Sequence, residues 1–381
     1  VQDQVTDTID RTEDRRGLSA TADVPIRYTT TSEAFDDLLD EWRTSDDATH
    51  AAAEGLVYQR LGLLPPGFDI LESMEDATRS GVLGYYDPEA KRVTIVGDGD
   101  ELSGFDLFVL SHEHVHVLQD QHFGFDDEDL VGDEALAFDA LVEGDATLAS
   151  AVFAVKRLGA AGFAELDEIP VDVVPDEALP AILYREGEFA YVDGSAFVFA
   201  NWDGDWSAID RLWADPPIST EQIMHPERDP ADVPVGIELP AIAELLGPGW
   251  STAHEMVLGE MRIEVLLADG RDWGYGDEDQ PFAFPELPAA RGAEGWGGDR
   301  LAHLVTTDGD WAVVWQTAWD TARDAGEFAR MAGSATWDLP YEVAVIEAGD
   351  ITEDDLDHPV LVLIAPGPSQ LFGLQRSLIG P

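Results

Sequence analysis

The residues best suited to chemistry lie in one stretch, from Phe105 to Phe123, where His112, Glu113 and His116 form an HExxH pattern. The apolar residues before the pattern predict that it lies on a buried helix, here called the metal helix. Side chains four residues apart on a helix lie about 5–6 Å apart on the same face, so both imidazoles can reach one ion. Zinc, which binds histidine nitrogen at about 2.0–2.1 Å, suits such a pair. The spacing therefore predicts a metal site with His112 and His116 as ligands.

Glu113 follows His112 directly and lies about 100° around the helix from it. From there its carboxylate can stay off the metal and take a proton from a metal-bound water, which is the role of a general base. His114 points to nearly the opposite face and is predicted to pack against the protein or to meet solvent. The chain has nine histidines, and HExxH arises by chance about twice in a hundred such sequences, so the prediction also needs a third ligand.

Glu143 is a candidate for the third ligand. It lies in the sequence LVEGDAT, within a helix predicted from Glu134 to about Leu158. A glycine inside a helix costs about 1 kcal/mol relative to alanine, so Gly144 predicts that another backbone approaches closely here. The metal helix could be that partner, which would bring Glu143 to the two histidines.

His225 is a further histidine with a defined position. It ends a short predicted helix that Ser219 and Gln222 would cap, and Pro226 follows it. A histidine at this point can serve a catalytic site, or it can simply interact with the helix dipole. The sequence leaves both roles open.

The chain is strongly acidic, with 78 Asp and Glu against 21 Lys and Arg and a formal charge of −57. Because 45% of its residues are hydrophobic, it has enough apolar surface for a core and is not predicted to be disordered. Its only lysines are Lys91 and Lys156. Dispersed acidic charge of this kind indicates a halophilic protein, in which molar salt screens a self-repulsion that opposes folding at low salt. The same charge excludes nucleic-acid binding, which requires a basic surface.

Membrane and redox features are absent from the sequence. No apolar run approaches 18 residues, so the chain is not predicted to span a membrane. No cysteine is present, which removes disulfides and thiolate ligands. The chain begins at Val1 rather than at methionine, which suggests that a leader or anchor was removed and predicts an extracellular or cell-surface location.

The order of elements predicts an α+β protein in three parts. Residues 1–22 are polar and acidic and are predicted to form a mobile N-terminal segment, either an arm or a frayed helix. Residues 23–232 contain the metal helix, the Glu143 helix and a hairpin, and form the predicted catalytic domain. Residues 233–381 form an α+β C-terminal portion, with strands predicted near 301–305 and 311–315.

The hairpin precedes the metal helix directly. Its predicted strands, Val82–Tyr86 and Arg92–Val96, flank a short turn segment that contains proline. An edge of this hairpin could accept an extended peptide as an additional strand. Alternatively, the hairpin could simply cover the metal helix.

Several motifs resemble those of known metallopeptidases. HExxH followed by a glutamate in an EGxA-like motif on the next helix resembles the gluzincin group of the zincin metallopeptidases. The chain also resembles a family of haloarchaeal surface proteins that carry the motifs SHExxHxLQDQHF, VEGDAT, STEQxxHPE and GWGGDR, which lie here at 111–123, 142–147, 219–227 and 295–300. The resemblance implies a zincin-like fold in which zinc has three protein ligands, His112, His116 and Glu143.

The resemblance also implies the roles of the surrounding residues. Glu113 would be the base, and Asp145 or Thr147 would support the ligating groups, as metal ligands generally require. His225 would stabilise the tetrahedral oxyanion.

A second zincin group, the metzincins, would instead use His122 as the third ligand, six residues after the second histidine of the pattern. The glycine at which that pattern turns back towards the metal is Gln119 here. Glutamine favours a continued helix, on which His122 lies about 240° from His116 and points elsewhere. Glu143 is therefore the preferred third ligand.

Together these features predict a zinc-dependent endopeptidase acting on a protein or peptide substrate. Three protein ligands would leave the fourth zinc position open for catalysis. The alternative is a surface binding or structural protein with a zincin fold and an inactive or purely structural metal site. A closed site would favour that alternative, and an open site beside Glu113 would favour the enzyme.

Overall fold

The computed structural model describes residues 1–43, 46–81, 83–97, 102–125, 130–164, 179–228, 230–268, 290–347 and 358–379. Within these ranges the protein is α+β, as predicted. The helices are α1 (Gln2–Arg16), α2 (Thr31–Trp42), α3 (Asp46–Leu61), α4 (Ile70–Gly81), α5 (Gly104–His122), α6 (Asp133–Ala164), α7 (Ala181–Asn201), α8 (Ser207–Ala214), α9 (Thr220–Met224), α10 (Ile242–Leu246), α11 (Gly259–Leu267), α12 (Ala290–Ala293), α13 (Ala322–Ala335) and α14 (Pro368–Leu378). None of the helices in the described ranges combines the length and the apolarity that crossing a lipid bilayer requires.

The strands form two sheets. They are β1 (Ile26–Thr29), β2 (Gly84–Asp87), β3 (Arg92–Val96), β4 (Trp250–Met256), β5 (Trp296–Thr306), β6 (Trp311–Trp319), β7 (Glu342–Glu347) and β8 (Val360–Ala365). The first sheet has the order β1-β3-β2, and its antiparallel pair β2 and β3 confirms the predicted hairpin, with β2 at an edge. Val82, the first residue of the predicted hairpin, lies outside the described residues. The second is antiparallel with the order β4-β5-β6-β8-β7, and it contains both strands predicted for the C-terminal portion, as β5 and β6.

Helices α5, α6 and α7 carry the predicted site, and α5 is the metal helix. The contact between α6 and α7 is very close, because both helices have glycine where they meet. A Cβ atom on Gly144 would lie 2.2 Å from the carbonyl oxygen of Gly194, and one on Gly194 would lie 2.1 Å from that of Ala140. The predicted close approach at Gly144 is therefore confirmed, but its partner is α7 and not the metal helix.

The N-terminal segment differs most from its prediction. Residues 2–16, predicted to be a mobile arm or a frayed helix, form the helix α1, which packs against α5 and α6. The buried face of α1 consists of Val5, Thr8, Thr12 and Arg16. Because three of these four residues are polar, the segment has no apolar periodicity from which a packed helix could be predicted.

The main hydrophobic core includes residues from both sides of the predicted boundary at 232/233. It joins side chains of α3, α6 and α7 to side chains of β5, β6 and β8. Phe189 of α7 and Trp315 of β6, for example, are both fully buried in this core. The assignment of 23–232 and 233–381 as separate domains stays a prediction.

Candidate metal centre

One turn of α5 brings His112 and His116 together, with their Nε2 atoms 3.1 Å apart. Glu143 enters from α6, and its Oε2 atom lies 3.1 Å from Nε2 of His112 and 3.6 Å from Nε2 of His116. Three ligand atoms bound to zinc at about 2.0–2.2 Å, at corners of a tetrahedron, would be about 3.3 Å from one another. The three side chains therefore fit one zinc ion. They form the group that can hold a metal ion in the described part of the chain.

The charges of His116 and Glu143 depend on each other. Burial would raise the pKa of the Glu143 carboxyl, but His116 and His112 beside it hold that pKa well below its usual range. Burial would likewise lower the pKa of His116, but the carboxylates of Glu143 and Glu113 outweigh it and raise the pKa to about 9. Without a metal, the site is therefore held together by an ion pair between His116 and Glu143.

Zinc binding is expected to release a proton from His116. With a pKa of about 9, this imidazole is protonated at neutral pH in the metal-free chain, and zinc binds only the deprotonated nitrogen. The apparent zinc affinity should therefore rise about tenfold for each unit of pH above neutrality and level off near the pKa of His116. Calorimetric titration with zinc in buffers of different ionisation enthalpies counts the protons released. Binding at neutral pH without proton release would contradict the raised pKa.

Gln119 orients the His116 ring. Its Oε1 atom accepts a hydrogen bond from Nδ1 of His116 at 2.8 Å, which leaves Nε2 to face the metal position. Its amide nitrogen donates to the carbonyl oxygen of Val142 at 3.0 Å and to Oδ2 of Asp145 at 3.2 Å. The sequence interpretation treated Gln119 only as a residue that continues the helix and missed this supporting role.

The two predicted supporting residues, Asp145 and Thr147, have different surroundings. Asp145 is fully buried, and its hydrogen bonds come from Arg16, Gln119 and Trp213. It therefore reaches His116 only through Gln119. Thr147 accepts a hydrogen bond at its backbone carbonyl, and within the described residues the structure records no hydrogen bond from its side chain to a ligand.

His122 and His225 lie apart from the three candidate ligands. Helix α5 continues through Gln119, as predicted, and Nε2 of His122 lies 2.8 Å from the carbonyl oxygen of Ser19. Nε2 of His225 lies 3.0 Å from the carboxylate of Glu260 on α11. This contact pairs His225 with α11 rather than with the ligands, and its catalytic role stays a prediction without a supporting contact.

Glu113 lies beside the candidate ligands and is shielded from solvent, with 7% of its surface exposed. Burial raises the pKa of its carboxyl, although His112 and His116 act in the opposite direction. The backbone N–H of Tyr86 donates a hydrogen bond to this carboxyl group. Strand β2 thus helps to hold the predicted base in place. His114, as predicted, faces away from these groups and is buried, with Nε2 3.3 Å from a carboxylate oxygen of Glu13.

The hairpin is fixed to α5 through a second contact. The Tyr86 hydroxyl donates to Oδ2 of Asp120 at 2.5 Å, and the Lys91 ammonium group donates to the same oxygen at 2.7 Å. Asp120 lies on α5, four residues beyond the second histidine. The hairpin is therefore fixed on α5 beside Glu113, and its use as an edge for a peptide stays a prediction.

Tyr191 of α7 is a site residue that the sequence analysis missed. Its ring stacks on that of His112 with the centroids 6.2 Å apart, and its hydroxyl group hydrogen-bonds Glu143. Burial of the phenol, together with the carboxylates of Glu143 and Glu113, raises the pKa of Tyr191 well above its usual value. The residue is nevertheless 49% exposed, so it lies where the site meets solvent. The sequence feature that could have identified Tyr191 is its position three residues before Gly194, because that glycine marks the contact of α7 with α6.

A family described as a domain of unknown function (DUF8575) matches residues 248–354. That range begins more than a hundred residues after Glu143 and does not include the candidate metal centre. No curated protein and no solved structure matches the chain significantly. Functional inference therefore depends on the residues of the candidate metal centre.

Proposed function

We propose that the protein is a zinc-dependent endopeptidase with a zincin-like fold. The observation that carries the proposal is the convergence of three ligand atoms at tetrahedral spacing, from His112, His116 and Glu143, with Glu113 beside them. A zinc ion held there would supply a Lewis acid that polarises the scissile carbonyl and lowers the pKa of water. A structural zinc site has four protein ligands, whereas the described residues supply three. This difference supports catalysis over a purely structural role.

Glu113 would act as the general base. Its carboxylate takes a proton from the attacking water and passes it to the leaving amine. Burial raises the pKa of this carboxyl, which brings it closer to the neutral range in which a group can both accept and donate a proton. The hydrogen bond from the Tyr86 backbone restricts the carboxyl group to one orientation.

Tyr191 would donate a hydrogen bond to the carbonyl oxygen as negative charge develops on it. Its raised pKa keeps the phenol protonated at neutral pH, and a fixed donor aimed at developing charge stabilises the transition state. In the structure this hydroxyl group is held by Glu143. The proposal gives Tyr191 the oxyanion role that the sequence analysis gave to His225.

The substrate would be an extended peptide. Strand β2 is an edge of the first sheet in the described part of the chain, and an edge strand can pair with an extended segment through backbone hydrogen bonds. Because Tyr86 of β2 also contacts Glu113, a peptide added along this strand would pass close to the base. Unfolded proteins and flexible loops present such segments.

The purified protein in molar potassium chloride is expected to contain about one zinc ion per chain and to cleave an unfolded protein substrate. A chelator should abolish the cleavage, and added zinc should restore it, because the chemistry requires the bound ion. Metal analysis measures the zinc content, and electrophoresis of the digested substrate measures the cleavage. Stoichiometric zinc without cleavage of unfolded protein or of a peptide library would instead support a binding or structural protein.

A further inference from the structure

Helix α1 supports the metal centre from the side opposite the candidate ligands. The hydroxyl group of Thr12 forms a 2.8 Å hydrogen bond with that of Ser111, the residue before His112. One residue along α1, Glu13 contacts His114. Two successive residues of α1 therefore hold two residues within the stretch that carries the HExxH pattern.

Arg16 makes a buried contact from α1 to α6. Its Nε and Nη2 atoms donate to the two carboxylate oxygens of Asp145 at 2.7 and 3.1 Å, and its Nη1 atom donates to Asp210 at 2.9 Å. The side chains of Arg16 and Asp145 are both completely buried, and the guanidinium group lies over the ring of Trp206. A two-pronged arginine–carboxylate pair has a fixed geometry, and a buried charge that loses its partner is strongly unfavourable. Arg16 therefore determines where the Asp145 carboxylate lies.

Asp145 connects this pair to a candidate ligand through Gln119. Oδ2 of Asp145 accepts from the Gln119 amide nitrogen, and Oε1 of Gln119 accepts from Nδ1 of His116. The carboxylate of Asp145 and the carbonyl oxygen of Val142 can only accept here. Together they fix the direction of the glutamine amide, so that the oxygen of Gln119 must face His116. That oxygen in turn keeps a proton on Nδ1 and leaves Nε2 for the metal. A continuous series of hydrogen bonds thus runs from α1 to the metal position.

We propose that Arg16 is a positioning residue of the metal centre, and that α1 must be docked for the centre to bind its metal tightly. Displacement of α1 would leave Asp145 as a buried charge without its arginine partner. The Gln119 amide would then keep its bond to the carbonyl oxygen of Val142, but its bond to Asp145 would no longer be fixed. The hydrogen bond between His116 and Gln119, which orients the His116 ring, would then be held less firmly. The inference depends on the metal centre of the proposed function, but it does not depend on peptidase activity.

Four chains test this inference: the wild type, Arg16→Lys, Gln119→Leu and the double variant. Lysine keeps the buried positive charge but cannot make the two-pronged bond. Each single variant is expected to weaken zinc binding by about 10- to 100-fold, as removal of groups that orient ligands does. The double variant should bind zinc no more weakly than Gln119→Leu, because the connection is already broken at Gln119. The absorption spectrum of bound cobalt should change in Arg16→Lys, since the ligand geometry around the ion is altered.

Zinc affinity is measured by competition with a chromophoric chelator in molar potassium chloride, with folding followed by circular dichroism. Arg11→Lys is the matched control, because Arg11 lies on the same helix and pairs with Asp7 of α1. Its zinc affinity and cobalt spectrum should equal those of the wild type. Should Arg16→Lys not fold, Asp145→Asn takes its place in the series with the same expected results.

Two results would overturn the inference: Arg16→Lys binding zinc as tightly as Arg11→Lys, or a loss of affinity that persists undiminished in the Gln119→Leu background. A wild-type chain that binds no zinc would overturn the metal centre and this inference together. Tight zinc binding without peptide hydrolysis would overturn only the proposed function. The failures of the two proposals are therefore distinguishable.

Discussion

Glu143→Ala should weaken zinc binding by at least about a hundredfold, whereas His122→Ala should leave the affinity close to that of the wild type. Removal of Glu143 takes away the one charged ligand and leaves two imidazoles, so the loss should exceed the 10- to 100-fold typical of groups that only orient ligands. His122 contacts the carbonyl oxygen of Ser19, and its removal costs the metal centre nothing. Competition with a chromophoric chelator in molar salt measures both affinities.

The matched control for Glu143→Ala is Glu134→Ala, which removes one acidic residue from an exposed position on the same helix. It should bind zinc like the wild type. The comparison separates the loss of a ligand from the loss of one negative charge in a chain whose formal net charge is −57. Tight zinc binding by Glu143→Ala, with loss of zinc in His122→Ala, would mean that the metzincin-like arrangement holds instead.

Glu113→Gln is expected to retain zinc while losing most of its turnover. Glutamine is nearly the same shape and can still accept the hydrogen bond from the Tyr86 backbone, but it cannot accept the proton of the attacking water. A positioned general base contributes about 100- to 10,000-fold to a rate, and a loss of that size in kcat is predicted. Zinc content and peptide hydrolysis are measured on the same preparation.

The results for Glu113→Gln show whether Glu113 acts as a base or as a metal ligand. Loss of zinc together with activity would place Glu113 among the ligands. Unchanged turnover with zinc still bound would assign proton transfer to another residue. Tyr191→Phe is a useful companion, since it removes a hydroxyl group beside the site without removing a ligand or the proposed base, and it should lower turnover while zinc remains bound.

The parts of the site that the sequence predicted are those governed by local spacing. His112 and His116 lie together because they are four residues apart on one helix, and the continuation of that helix through Gln119 turns His122 away from them. Glu143 was found because Gly144 marked a close helix contact. Even there the sequence could not identify the contacting helix, since a glycine shows that a backbone approaches but not which one.

The parts that the sequence did not predict depend on packing between residues distant in the chain. Arg16 and Asp145 are 129 positions apart, and nothing in the composition of the first 22 residues distinguishes a buried arginine from a solvated one. Tyr191 reaches the site only because Gly144 and Gly194 allow α6 and α7 to touch. Gln119 was judged by its helix propensity, although its side chain connects a candidate ligand to Asp145. Such roles follow from tertiary contacts that no periodicity encodes.

X-ray absorption at the zinc edge of the wild-type protein in molar salt tests the central claim most directly. The account predicts one zinc ion per chain with two imidazole nitrogens at about 2.0–2.1 Å and oxygen atoms, from Glu143 and from water, in the remaining positions. In Glu143→Ala the signal of two imidazoles should be seen only when zinc is added in large excess over the protein. A wild-type spectrum that requires three imidazoles, or a protein that holds no zinc, would contradict the account.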